Sequence, residues 1–241
     1  MLKTALFLSL AITFLAGCAS GVKHENVGSL LAQKTPAVVI LDPFVRTFEI
    51  GLGQQPFRTV AIEKRIQADT RQAFALVANE TRWFQAIPEP AISEDQLADH
   101  DQLSALLLTT SDLYTKIEEV GGPATDAMRK SFKGNIGKHA VFQQIAKKTN
   151  ARYGLLLAAV DNQTTGAAKA VAAISNAATM GNSTLKFRGT LHALICVIDL
   201  ENGDLLWFMY EKNAGSLDSP ESIAKVLKSM LSSSPLAEGK S

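Results

Sequence analysis

The stretch Ile198-Asp-Leu-Glu-Asn-Gly-Asp-Leu-Leu-Trp207, IDLENGDLLW, decides how the rest of the chain is read. Three carboxylates, Asp199, Glu201 and Asp204, cluster there around Asn202-Gly203. Acidic residues at alternate positions near a glycine open calcium loops, and carboxylate clusters hold catalytic metals. A calcium loop starting at Asp199 needs glycine in sixth place and glutamate in twelfth, but those places hold Asp204 and Tyr210. A hairpin fits instead, because Asn-Gly readily takes the positive φ angles of a type I′ turn between two apolar runs. Such a turn sets Ile198 opposite Trp207, Val197 opposite Phe208, Cys196 opposite Met209 and Ile195 opposite Tyr210. Glu201 then faces Asp204 at a solvated tip. Both faces of this hairpin are apolar, so helices are expected on both.

Downstream, Asp218 or Ser219 caps a helix opened by Pro220, with Ile223, Val226, Leu227, Met230 and Leu231 on one side. Upstream, a long strand covers about 185–200, and Tyr153 to Val160 reads as a buried strand. A helix over about 138–148 presents Val141, Phe142 and Ile145, with Asn150 as its left-handed terminator. Ala37 to Leu41 is a continuous apolar run that stops at Asp42-Pro43, which fits a strand buried on both faces. Val45 to Ile50 is open to reading as its continuation. After Gly51, Gly53 and Pro56 break the pattern, Thr59 can cap a helix over about 59–87. Ile62, Ile66, Ala73, Val77, Phe84 and Ile87 form its stripe, Lys64, Arg65, Arg71 and Arg82 lie elsewhere around it, and Pro88-Glu89-Pro90 stops it. Ser93 begins a second helical pattern with Leu97, Leu103, Leu106 and Leu107. The stretch through Ile117 reads equally as helix or strand, and Gly121-Gly122-Pro123 is a break. The expected fold is mixed α/β: a compact, mostly antiparallel sheet with a C-terminal β-hairpin and helices packed on both faces.

The first residues, MLKTALFLSLAITFLAGCAS, carry one cation at Lys3, an apolar run from Ala5 to Leu15, then small residues before Cys18. That is the pattern of a secretory signal peptide, and the run is short for a bilayer span of roughly 20 residues. Leu15-Ala16-Gly17-Cys18 resembles the bacterial lipobox, in which lipid is attached to the cysteine sulfur and the chain is cut just before it. Ala19 after the cysteine, rather than aspartate, implies the outer membrane by that family's sorting rule. The expected organisation is a signal peptide over 1–17, a lipidated tether over 18–35 and one domain over 36–233. That domain carries a helical middle insertion over about 88–137 and an alanine-rich insertion over about 164–184, and a tail follows over 234–241.

The formal charge is +1 and falls to about zero once Lys3 is removed, so no basic footprint for nucleic acid exists. With Cys18 committed to lipid, the only other cysteine, Cys196, is a lone thiol in the strand pattern LHALICVID and reads as a buried small hydrophobe. His192 is the nearest histidine in sequence, on the same strand face but two pleats away. Histidines 24, 100, 139 and 192 are scattered and make no paired zinc spacing. Gly51-Leu-Gly53-Gln-Gln-Pro56 follows a strand and precedes a helix as a phosphate-cradling loop should, but its third glycine is replaced by Pro56. No Gly-x-Ser-x-Gly elbow occurs. Neither a catalytic residue nor a cofactor or metal site is expected. The segment GAAKAVAAISNAATMGNS, within 166–184, admits three readings: a packed helix or loop, a close-packing surface for a partner, or a membrane contact.

The order of these elements resembles the CsgG, LpoB and TolB amino-terminal group of bacterial envelope domains. The matching pieces are Val38 to Phe44, Ala146 to Val160, and Val197 to Trp207; the middle from Pro88 to Gly137 and the alanine-rich insertion depart from it. The resemblance implies a domain that does no chemistry and works by contact. The expected role is therefore that of a palmitate-bearing outer-membrane lipoprotein facing the periplasm. It would serve as a non-enzymatic accessory, assembly or regulatory factor of a cell-envelope machine, with an envelope protein or another copy of itself as partner. The alternatives are a subunit of an oligomeric CsgG-like export channel and an enzyme acting on cell wall or lipid.

Overall fold

The computed structural model describes residues 22–23, 27–50, 57–91, 93, 100–101, 103–104, 140–164, 190–212 and 214–238. Its strands are β1 Val22–Lys23, β2 Ala37–Ile40, β3 Phe44–Ile50, β4 Phe57–Arg58, β5 Gln85–Pro88, β6 Tyr153–Thr164, β7 Thr190–Asp199 and β8 Asp204–Lys212. Its helices are α1 Gly28–Leu31, α2 Val60–Thr81, α3 Ala140–Thr149 and α4 Pro220–Leu231. Residues 1–21, which include the expected signal peptide and Cys18, residues 51–56, most of the range 88–137 and the alanine-rich segment lie outside the described residues. Among the described residues no helix is long and apolar enough to cross a membrane.

One mixed sheet runs in the order β1-β8-β7-β6-β2-β5, and β3 pairs with β6 beyond the end of β2. The β1–β8, β3–β4, β6–β7 and β7–β8 pairs are antiparallel. The β2–β5, β2–β6 and β3–β6 pairs are parallel. Alternation sorts the strand side chains onto two faces. Val38, Tyr153, Leu155, Leu157, Ile195, Val197 and Trp207 pack beneath α2 and α4, against Ile66, Phe74, Val77, Ile223, Leu227 and Met230. Val39, Leu41, Leu156, Cys196, Ile198 and Phe208 pack beneath α3, against Val141, Phe142 and Ile145. Helices thus cover both faces, as the apolar strands require.

Local signals set the helix ends in two cases. Ser219 accepts a hydrogen bond from the Ser222 N–H and Pro220 opens α4, whose five expected core residues are all buried. Asn150 closes α3 at φ 52°. The first long helix departs from expectation. It stops at Thr81, with Arg82 left-handed at φ 59°, and Gln85–Pro88 becomes β5 rather than a last helical turn. The reason is tertiary: the backbone from Gln85 to Pro88 pairs in parallel with Ala37 to Ile40. Thr59 precedes α2 but does not cap it, because its hydroxyl bonds the Thr47 hydroxyl at 2.7 Å. The tether range also holds structure, since β1 pairs with β8 and α1 buries Leu30.

The hairpin exists, but its turn differs from the type I′ expectation. Asp199 pairs with Asp204 across the four residues Leu200 to Gly203, and only Gly203 takes positive φ, at 74°. Further along, Val197 is opposite Trp207 and Cys196 opposite Phe208, one step from the expected register. A bulge between Val197 and Ile198 absorbs that step and puts Leu206 and Trp207 in the same core. The turn forms this way because Asp199 is buried rather than solvated. Its Oδ1 accepts the Glu201 N–H at 3.0 Å, and its Oδ2 accepts Arg152 Nε at 2.8 Å and Nη2 at 2.7 Å. Both oxygens are thus engaged by protein donors. Asp199→Ala should lower stability by about 2 kcal/mol, since it removes the turn bonds and the partner of half-exposed Arg152, and Asp199→Asn by about half that. Urea midpoints of the two variants measure it; a loss below about 0.5 kcal/mol would show that the carboxylate does not hold the turn.

Candidate functional site

The site forms where parallel strands end. β2 and β5 run side by side and stop together, β2 at Leu41-Asp42-Pro43 and β5 at Glu89-Pro90. Pro43 has no N–H to give to a ladder, and the pairing with β6 shifts by one residue across this point, from Ile40 opposite Leu155 to Phe44 opposite Ala158. The backbone N–H of Asp42 is thereby freed from the sheet and donates to Glu89 Oε2. Arg71, one turn beyond Gln67 on α2, donates to Asp42 Oδ1, and Gln67 itself holds the Pro43 carbonyl at 3.0 Å. A crevice outside the carboxyl ends of parallel strands is where open α/β sheets commonly bind ligands.

The cleft has a volume of about 370 Å³. Ile40, Ala75, Ala86, Pro88 and Ala91 wall it with apolar surface, and Asp42, Arg71 and Glu89 supply its polarity. Glu89 Oε1 is buried without a hydrogen-bond partner among the described residues. Burial pushes the Glu89 carboxyl up to about 7; the Asp42 charge adds to that, while the Asp42 N–H and Arg71 oppose it. Glu89 therefore changes charge near neutral pH. Ionised, its free oxygen can take a hydrogen bond from a neutral amide or hydroxyl donor; protonated, the same oxygen can give one to a carbonyl. Among the described lining residues there is no serine, threonine, cysteine, lysine or histidine to act as a nucleophile or proton shuttle beside it.

A second charged group lies where α2 meets β3 and β4. Buried Glu63 accepts the Thr47 N–H at 3.0 Å and Arg58 Nη2 at 2.6 Å, and Arg46 Nη1 lies 3.8 Å away. Burial pushes this carboxyl up, but Arg58, the Thr47 N–H and Arg46 outweigh it and hold it below the usual carboxylate range. Arg46 also bonds Asp101 at 2.9 Å and stacks 4.3 Å over the Phe44 ring. Nearby, His100 is buried edge-on against Phe142 at 6.3 Å, with neither ring nitrogen partnered among the described residues. Burial lowers its pKa, against the charges of Asp42 and Asp101, so it is held neutral.

The residues singled out in the sequence fare differently. Cys196 is fully buried, and burial pushes its thiol up to about 12, which removes it as a nucleophile. His192 Nδ1 pairs with the Tyr210 hydroxyl at 2.6 Å across the sheet. Cys18, His24, His139 and Gly51 to Pro56 lie outside the described residues. Among those described, no group of three or more His, Cys, Asp or Glu side chains is placed to hold a metal ion. Sequence reasoning misses Asp42, Arg71 and Glu89 as a site. Their one signal is that Asp42 and Glu89 each end an apolar stretch beside proline, and the helical stripe that runs on through Ile87 masks it.

Fold and cleft together define a mixed α/β domain with a ligand-sized crevice at the ends of its parallel strands. No protein-family model and no curated protein matches the chain. Among solved structures, a variant of PelC from Paraburkholderia phytofirmans, a dodecamer, aligns with 82% of this chain and 94% of its own at 12% identity and a TM-score of 0.31. Similarity of that degree carries no argument about what this chain does.

Proposed function

We propose that the chain is an outer-membrane lipoprotein, anchored through lipid on Cys18 and facing the periplasm. In this reading it acts without chemistry of its own, as an accessory, assembly or regulatory factor of a cell-envelope machine. The observation that carries the reading is Leu15-Ala16-Gly17-Cys18 at the close of a short apolar run. Near-zero charge after removal of the signal and a cleft walled mostly by apolar side chains support contact. The apolar cleft with one free carboxyl oxygen suits a neutral segment of a partner protein, whose backbone amides are donors of the required kind.

Cys18→Ser is the direct test. The wild-type chain should incorporate labelled palmitate and fractionate with the outer membrane, and the variant should lose the label and appear in the soluble periplasmic fraction. A variant that stays with the membrane would overturn the anchoring. Crosslinking of the wild-type chain in intact envelopes should then capture a protein partner reproducibly, with Arg71→Ala reducing the yield. Capture of further copies of the chain alone would favour the self-assembling alternative.

A further inference from the structure

Strand β5 is an edge of the sheet: among the described strands it pairs with β2 alone. The Gln85 N–H donates to the Pro36 carbonyl at 2.9 Å, which fixes the phase of the ladder. By alternation, Gln85 and Ile87 turn their backbone groups toward β2, and Ala86 and Pro88 turn theirs outward. Pro88 has no N–H, so the open edge offers one donor, on Ala86, and two acceptors, the carbonyls of Ala86 and Pro88. Gln85 and Pro88 are exposed, so the edge is open to solvent.

A trough runs beside this edge on the α2 side of the sheet. Ala86 packs toward the core beneath α2, and Ile87 toward the core beneath α3. The cleft at Glu89 and a second crevice of about 560 Å³ at Phe84 and Arg82 share Ala75 and Ala86 as walls, so they adjoin along one line. Arg71 to Arg82 on α2 flanks that line for about 16 Å at the helical rise, the length of about five extended residues. At its end stands Glu89, whose Oε1 is buried without a partner among the described residues. The described residues beyond Pro90 lead to the opposite face: the Ala91 carbonyl accepts Lys148 Nζ at 3.3 Å, and Leu103 packs in the core beneath α3.

We propose that an extended segment of a partner protein adds to β5 as a further strand of the sheet and sets alternate apolar side chains into the trough against α2. The proposal deepens the reading of the chain as a protein that works by contact, and rests on that reading but not on lipid at Cys18. The unmet groups are those of a strand edge, which another backbone satisfies at the same spacing. A peptide also carries both an N–H for the ionised Glu89 carboxylate and a carbonyl for the protonated one. Paired edge to edge with a second copy, β5 would bring only Ala86 and Pro88 to that side and leave the trough unfilled.

The probe is a displayed library of nonapeptides without charged residues, selected on the full chain purified in detergent. Enriched peptides should carry apolar residues at alternate positions, and the strongest, made synthetically, should bind in a fluorescence anisotropy titration. Ala86→Pro removes only an outward N–H, and Gln85 before it is already extended, so the ladder with β2 is kept. It should weaken binding about tenfold, and so should Ala75→Trp, which fills the trough from an exposed helix position. Unchanged circular dichroism shows that both variants are folded. N-methylation of the peptide, one residue at a time, needs no variant of the chain: it should cost about tenfold at two alternate positions and less than about twofold between them. No enrichment over the Ala75→Trp chain, or N-methyl losses without alternation, overturns the proposal. A wild-type dimer in light scattering that Ala86→Pro dissolves gives the edge to a second copy and overturns it as well. If crosslinking in intact envelopes captures a partner equally from wild type and Ala86→Pro, the contact reading stands and strand addition at β5 falls.

Discussion

Trp207→Ala is expected to cost about 4 kcal/mol of folding stability, the largest effect of any single truncation in the sheet. Trp207 is fully buried in the core beneath α2 and α4. It is also the residue that the β8 bulge turns into that core alongside Leu206, so its removal leaves a cavity at the point where the register shifts. Surrounding elements are poorly placed to collapse into the gap, because Val197 is fixed opposite Trp207 in the ladder and β1 pairs on its other side. Trp207→Phe should cost much less, about 1–2 kcal/mol. It leaves a smaller void, and it removes an indole N–H that has no hydrogen-bond partner among the described residues. Urea denaturation of the Cys18→Ser chain, followed by circular dichroism because Trp83 also fluoresces, measures both. A loss below about 1 kcal/mol for the alanine variant would place Trp207 outside the cooperative core.

Stability should fall as pH rises from about 4.5 to about 7, by up to about 3 kcal/mol through Glu89 alone. The sign follows from linkage. Its folded pKa, about 7, is above the ordinary 4.5, so within that window the folded chain keeps a proton that the unfolded chain has released. Stability is highest below the lower value and has been lost once the pH passes the upper one. His100 acts in the opposite sense below 6.5, because its folded pKa is lowered and the unfolded chain binds the extra proton. Glu89→Gln separates the two effects: it removes the falling limb and leaves stability that rises with pH toward 6.5. Urea midpoints between pH 4.5 and 8 for the wild-type and variant chains measure it, and parallel profiles would show that Glu89 titrates normally. Should a partner donate to Oε1 of the ionised carboxylate, binding would strengthen above pH 7 in the wild type and lose that dependence in the variant.

Elements written in local pattern are legible in the residues themselves. The five core residues of α4, the three of α3 and the left-handed Asn150 follow from helical spacing and end chemistry. The apolar faces of β6, β7 and β8 call for helices on both sides, and α2, α3 and α4 provide them. The cleft is not legible in this way. Asp42 and Glu89 are 47 residues apart in sequence and meet only because β2 and β5 lie in parallel. Phe84 and Ile87 continue the helical stripe of Val77 in sequence, so nothing local marks the change to strand at Gln85.

The rhythm of apolar residues is enough to specify a mixed α/β chain with a hairpin at 198–207 and a capped helix after it. These features follow from interactions within a few residues of one another, which periodicity and capping report directly. The register of that hairpin, the strand at 85–88, the buried role of Asp199 and the meeting of Asp42 with Glu89 were settled by the folded chain alone. Each depends on a partner far away in sequence: Arg152 for the turn, β2 for β5, and the one-residue shift against β6 for the cleft. Hydrogen bonding between distant strands and the burial of charged groups outweigh local preference at those points, and neither leaves a trace in the spacing of residues.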